Sequence, residues 1–137
     1  IWATGEWLFH PDGWAFERYG TRILESIKSD AHEEKFGRMR IIVTQQSGGQ
    51  ARRSDVGNQV IQTLADRSRV EVRCRPSWEM NRVLTLIRTP TNAEAVYMRR
   101  RLSRPLVRPF RAHDSTSIKY LSDVFEGYWH KAVPPST

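Results

Sequence analysis

The sequence predicts an α/β fold, a mixed sheet with helices packed on it, and three observations carry that prediction. Met39–Thr44 and Val83–Ile87 are short aliphatic runs of the length and composition of buried strands. Other stretches repeat apolar residues at three- and four-residue steps, the period of amphipathic helices. The two kinds of stretch alternate along the chain, the pattern of helices laid on a sheet rather than of separate all-α and all-β parts.

Taken in order, Ile1–Phe9 mixes aromatics with Thr and reads as a strand interrupted at Gly5, followed by a turn at His10-Pro11-Asp12-Gly13. Phe16, Tyr19, Ile23, Leu24 and Ile27 then mark a helix over Trp14–Ser29. Asp30–Arg38 is a charged connector, Met39–Thr44 a buried central strand, and Gln45–Gln50 a Gln/Ser/Gly-rich loop. Val56, Val60, Ile61 and Leu64 predict a second helix, capped by Ser54 or Asp55 and ending near Ser68. Val70–Arg75 alternates apolar and charged residues, a strand with one wet face, until Pro76 stops it. After a turn at Trp78-Glu79-Met80, Val83–Ile87 is the second buried strand, closed by Pro90.

Thr91-Asn92-Ala93-Glu94 has the form of a capping box and predicts a short helix carrying Ala95, Val96 and Met98. Pro105 and Pro109 limit Leu102–His113 to an edge strand or an extended loop. The last helix, Ser115–Ala132, is capped by Asp114 or Ser115 and breaks at Val133-Pro134-Pro135. Its Ile118, Leu121, Phe125, Tyr128, Trp129 and Ala132 form one broad apolar face that a domain of this size must bury.

The chain has 137 residues, 39% of them hydrophobic, enough for the core of one domain spanning 1–137. It opens on Ile1 inside an apolar run, which suggests a fragment of a larger chain. Lys and Arg number 22 against 15 Asp and Glu, a net charge of +7. That balance suits a polyanionic partner or a plain solvated basic surface. A single cysteine, Cys74, excludes an internal disulfide and points to a reducing, cytoplasmic compartment. No run reaches the roughly 18 apolar residues of a membrane span, so no membrane partner is expected.

Candidate chemistry is sparse. The histidines at 10, 32, 113 and 130 stand at no metal-ligand spacing, so neither a metal nor a cofactor is expected. His10 beside Asp12 fits turn and cap hydrogen bonding better than catalysis, whereas His113, ahead of the last helix, is the better functional candidate. Cys74 reads as core, because Arg73 and Arg75 point to the other face of an alternating strand. Ser47-Gly48-Gly49-Gln50 lies where a phosphate-binding turn can sit, but matches no phosphate-loop motif. Between Arg99 and Arg111 six arginines (Arg99, Arg100, Arg101, Arg104, Arg108, Arg111) accompany Phe110, a set suited to phosphate contacts and base stacking.

This succession of elements resembles the phospholipase D-like domain. The resemblance rests on Ile1–Phe9, Met39–Thr44, Val70–Arg75 and Arg82–Ile87, and above all on Asp123–Ala132, which is similar to that family's closing F-x-x-x-W-x-x-A helix. It implies a phospholipase D-like α/β sandwich. Active members carry H-x-K-x4-D, in which His attacks phosphorus, Lys holds the phosphate and Asp orients the system. The corresponding positions here are Met80, Arg82 and Ile87, so the resemblance implies a pseudoenzyme whose groove serves binding. Active members assemble one site from two copies of the motif, which implies a homodimer or pairing with adjoining domains.

The expectation is therefore a non-catalytic ligand-sensing or protein-interaction module of a larger regulator, such as a transcriptional one. Trp78, Arg82 and His113, then His10 and Trp7, are the expected ligand-binding residues, because they lie near strand ends or turns. The alternative is a basic, nucleic-acid-associated component of a ribonucleoprotein or DNA complex that contacts phosphate through Arg99–Arg111. Third comes a phosphodiesterase or nuclease with a site rearranged around His113.

Overall fold

A computed structural model describes residues 3–9, 21–32, 36–45, 69–76, 82–99 and 110–134. It is an α/β fold with one six-stranded mixed sheet. The elements are β1 (Ala3–Phe9), α1 (Thr21–His32), β2 (Phe36–Gln45), β3 (Val70–Pro76), β4 (Arg82–Arg88), β5 (Ala93–Arg99), β6 (Phe110–Ala112) and α2 (Ser115–Lys131). Across the sheet the order is β3-β2-β1-β4-β5-β6. The first three strands are mutually parallel, and β4, β5 and β6 each run antiparallel to the preceding neighbour in that order.

Strand alternation sends successive side chains to opposite faces, and here both faces are covered. Trp7, Met39, Ile41, Val43, Val70 and Val72 share one face with Phe36 and with Ile27 of α1. Leu8, Ile42, Leu84, Leu86, Ala95 and Ala112 share the other with Ile118, Leu121, Phe125 and Trp129 of α2. A sheet buried on both sides needs apolar residues at consecutive positions, which explains the unbroken Ile41–Val43 run. Each fully buried side chain of this size contributes roughly 2 kcal/mol, so the four from α2 fix that helix on the sheet. Asp114, extended at φ −74° and ψ 147°, caps it by accepting from the Ser117 backbone N–H at 2.9 Å.

The final helix accordingly stands where the sequence places it, as do the strands at Val70 and Val83, and the expected strand Met39–Thr44 lies within β2. β6 is an edge strand, as expected for part of Leu102–His113. Other boundaries move. Strand β1 is not interrupted at Gly5: it pairs continuously with β4, and a Cβ at Gly5 would collide with the Trp7 indole, two residues on along the same face. This glycine gives room to a ring; it does not break the strand. Helix α1 continues to His32 and β2 starts at Phe36, so the charged connector shrinks at both ends.

One element changes type. The helix expected from Thr91 is instead β5, the second arm of a hairpin with β4. The Thr91/Glu94 capping pattern loses because Thr89 and Asn92 close the turn first. The Thr89 N–H donates to the Asn92 carbonyl at 2.7 Å, and the Asn92 N–H donates to Thr89 Oγ1 at 3.0 Å. Pro90 sits inside that turn, where its fixed φ suits it, and Val96 and Tyr97 prefer a pleated surface. The helix expected over 54–68, the turns at 10–13 and 78–80, the Gln45–Gln50 loop beyond Gln45, and residues 102–109 lie outside the described residues.

The chain closes over its own sheet edge. Beyond α2, Val133 forms a two-way bridge with Cys74 of β3, N–H to carbonyl at 2.7 and 3.0 Å. Val133 precedes Pro134, which holds it extended and ready for that pairing.

Candidate functional site: a basic groove above a buried ion network

Glu6 of β1 and Arg40 of β2 are register partners on the α2 face of the sheet, and both are buried, 3% and 8% exposed. Charges this deep persist only when paired and hydrogen-bonded. Glu6 Oε1 receives Arg40 Nη2 at 3.0 Å and Arg88 Nη1, from β4, at 3.1 Å. Arg40 Nη2 also bonds Glu126 Oε1, which descends from α2, and Arg88 Nη2 donates to Ser122 Oγ of the same helix. Two carboxylates thus meet two guanidiniums. Burial works against the charge on Arg40, but its hydrogen bonds to Glu126 and Glu6 outweigh it and hold the guanidinium above its ordinary value. The Arg40 hydrogen bond in turn holds the Glu126 carboxyl below its usual range, against the opposing pull of burial.

Arginines also pin the aromatic half of α2. Arg40 lies 5.0 Å from the Phe125 ring centre and 5.3 Å from that of Trp129, while Arg73 of β3 lies 4.1 Å from Trp129 on the same side of the sheet. Arg73 Nη1 also donates to the Trp129 carbonyl at 3.0 Å, satisfying an end-of-helix acceptor. These charges are structural.

Where Arg88 emerges from the network it lines a groove of about 510 Å³ between the β4–β5 turn and the first turns of α2. Three basic side chains reach the groove: Arg88, His113 and Lys119. The hydroxyl residues Thr89, Thr91, Ser115 and Ser122 complete its polar lining, and no carboxylate is among the described residues that line it. The nearest acid in sequence, Asp114, is committed to the Ser117 N–H, and that bond keeps its carboxyl below its usual range. A smaller hollow of about 310 Å³ between Arg75 and the last turns of α2 carries mixed charge, with Asp123 and Lys131 both in its lining.

Of the expected ligand-binding residues, His113 is exposed and lines the larger groove. Arg82 begins β4 opposite Arg99, at the other end of the strand from Arg88. Six residues at about 3.3 Å each separate the two ends by about 20 Å, so Arg82 and His113 do not share that groove. Trp7 is 4% exposed and belongs to the core, edge-on to Phe36 at 5.5 Å between ring centres. His10 and Trp78 lie outside the described residues, as do Arg100, Arg101, Arg104 and Arg108. Arg99 ends β5, and Arg111 is exposed on β6 beside Phe110, which is 55% exposed.

Sequence reasoning missed Arg88, Lys119 and Ser122, and the whole Glu6–Arg40–Glu126 network. A signal was present: a lone acid, Glu6, inside the aromatic run of β1 and a base, Arg40, directly before the aliphatic run of β2, at positions that face the same way once the strands pair. Among the described residues no group of three His, Cys, Asp or Glu side chains gathers as a metal site, and no helix is long and apolar enough to cross a membrane. No protein-family model matches the chain, and no curated protein or solved structure matches it either.

Proposed function

We propose that this chain is a non-catalytic ligand-sensing or protein-interaction module of a larger regulatory protein, a degenerate member of the phospholipase D-like class working in the cytoplasm. The observation that carries this reading is the groove itself: its best-held base, Arg88, is committed to Glu6 and Ser122, an arrangement for holding a charge still. The composition of β4 supports the same reading. Ile87, at the position where active members carry the orienting Asp, packs against the apolar cluster around Trp7. A module of this kind works paired with a second copy or with adjoining domains.

A ligand screen that also follows chemistry tests the proposal. The expected result is that bound small molecules shift the spectrum of the protein and are recovered unchanged after prolonged incubation. Turnover of a chromogenic phosphodiester, abolished by His113→Ala, overturns the proposal in favour of a phosphodiesterase or nuclease.

A second reading, a basic component of a nucleic-acid complex, draws support from β6, where Phe110 and Arg111 are exposed at successive positions of the sheet edge. Stacking plus phosphate contact is the usual device for single strands. On this reading, affinity for RNA or DNA falls steeply between low and moderate salt and collapses when Arg99, Arg100 and Arg101 become alanine. Binding indifferent to salt overturns it.

A further inference from the structure

We infer that the groove between the β4–β5 turn and α2 is a binding site for the phosphate monoester group of a small metabolite, an assignment that rests on the ligand-sensing reading and names its ligand class. The site lies at the opposite end of β4 from Arg82.

Several features converge. Arg88, His113 and Lys119 come from three separate segments, a strand end, the connector before α2 and the helix itself, and the fold brings them to one groove. Lys119 adds a positive charge to the cavity that Arg88 lines, and no carboxylate is among the described residues lining it, so the field there favours an anion. Arg88 is one-third exposed, and two of its guanidinium nitrogens are fixed by Glu6 Oε1 at 3.1 Å and by Ser122 Oγ. A planar fork held in this way loses little side-chain freedom when it takes a further acceptor.

Lys119 adds a mobile point charge, and Ser115, one turn before it on α2, adds a hydroxyl on the same side. Oxyanions with several acceptor oxygens match this mixture of guanidinium, ammonium and hydroxyl donors. The volume, about 510 Å³, falls in the range of about 300–1,000 Å³ usual for small-molecule sites, so there is room for a carrier beyond the phosphate. Thr89 and Asn92 stiffen the turn that forms one wall, and Ile118, buried beneath it, gives the carrier an apolar floor.

Glycerol 3-phosphate, inorganic phosphate and uncharged glycerol, each titrated into the protein at low salt and followed by NMR, test the assignment. Expected are saturable shifts with glycerol 3-phosphate and phosphate, centred on the amides of Thr89, Thr91, Asn92 and 113–119, and none with glycerol. Lys119→Ala and His113→Ala, both at exposed positions that leave the core intact, each weaken binding at least fivefold, whereas Lys131→Ala at the far end of the helix changes it less than twofold. Shifts that never saturate, or an equal loss with Lys131→Ala, overturn the site. Failure of both phosphates alongside unchanged recovery of an unrelated metabolite that does bind removes this assignment and leaves the sensing module standing. Saturable binding accompanied by release of inorganic phosphate from glycerol 3-phosphate keeps the site and overturns the non-catalytic reading.

Discussion

Glu6 and Arg40 meet at 3.0 Å across adjacent parallel strands, both less than one-tenth exposed, and the links from the sheet to Glu126 and Ser122 of α2 run through the network they anchor. A buried pair of this kind adds little net stability over apolar residues of equal size, but removing one member leaves the other stranded. Glu6→Ala is therefore expected to cost about 3–5 kcal/mol, measured by urea denaturation, because Arg40 and Arg88 both lose their shared acceptor. Glu6→Leu combined with Arg40→Met should recover the part of that loss that falls on the buried Arg40, while Arg88, one-third exposed, still lacks its acceptor. A double variant no more stable than the single one would show that the charges themselves, and not their desolvation, hold the fold.

The acid limb of stability should carry the signature of Glu126. Its carboxyl titrates lower in the folded protein than in the unfolded chain, through the hydrogen bond to Arg40. Its contribution is thus complete above the unfolded carboxylate value and is lost as pH falls through the folded one. Glu126 is part-exposed, so solvent screens the effect. Unfolding free energies compared between pH 7 and pH 3 should fall less steeply for Glu126→Gln than for the native chain. Identical slopes would sink the prediction.

The cap of α2 offers a related test. Asp114→Ala removes the acceptor of the Ser117 N–H, so the first turn, one wall of the groove, should fray. Faster hydrogen exchange at Ser117 and Ile118 with unchanged exchange at Phe125 is the expected outcome. Asp114→Asn, which keeps an acceptor oxygen, should restore protection.

How far the sequence reveals the molecule depends on whether a feature is local. The face of α2 is legible because a helix repeats its apolar residues within a few positions, and Ile118, Leu121, Phe125 and Trp129 are the residues that end up buried. The hairpin arm β5 is illegible for the same reason in reverse. Its Thr91/Glu94 pattern is a genuine local helix signal, overruled by the Thr89–Asn92 turn and by pairing with β4. The groove is harder still, since Arg88 and Lys119 share it only after the strand order β1-β4-β5-β6 places the β4–β5 turn beside the start of α2. Of the expected site, His113 alone announces its place, because it stands directly before the cap.

Gly5 sets a limit on β1. An added methyl there meets the six-membered ring of the Trp7 indole, which is 4% exposed and has no free space to retreat into. Overpacking of this sort costs typically about 1–3 kcal/mol, so Gly5→Ala should lower the denaturation midpoint accordingly. The coupling is to one partner. In a Trp7→Leu background the same substitution should cost less than half as much, and a double-mutant cycle with no coupling energy would refute the contact.

The pairing of Val133 with Cys74 makes the last prediction, and backbone donors rather than side chains decide it. Strand β3 is a sheet edge, and its outward amides are templates for a second chain unless something covers them. Val133 covers part of that edge while its own side chain stays 59% exposed, so Val133→Ala should be nearly neutral. Val133→Pro removes the N–H that donates to the Cys74 carbonyl at 3.0 Å. The expected loss is about 1 kcal/mol, with faster exchange at the Cys74 amide and concentration-dependent association through the bared edge. Should Val133→Pro stay as monodisperse as Val133→Ala, with the Cys74 amide equally protected, the tail is not what guards β3.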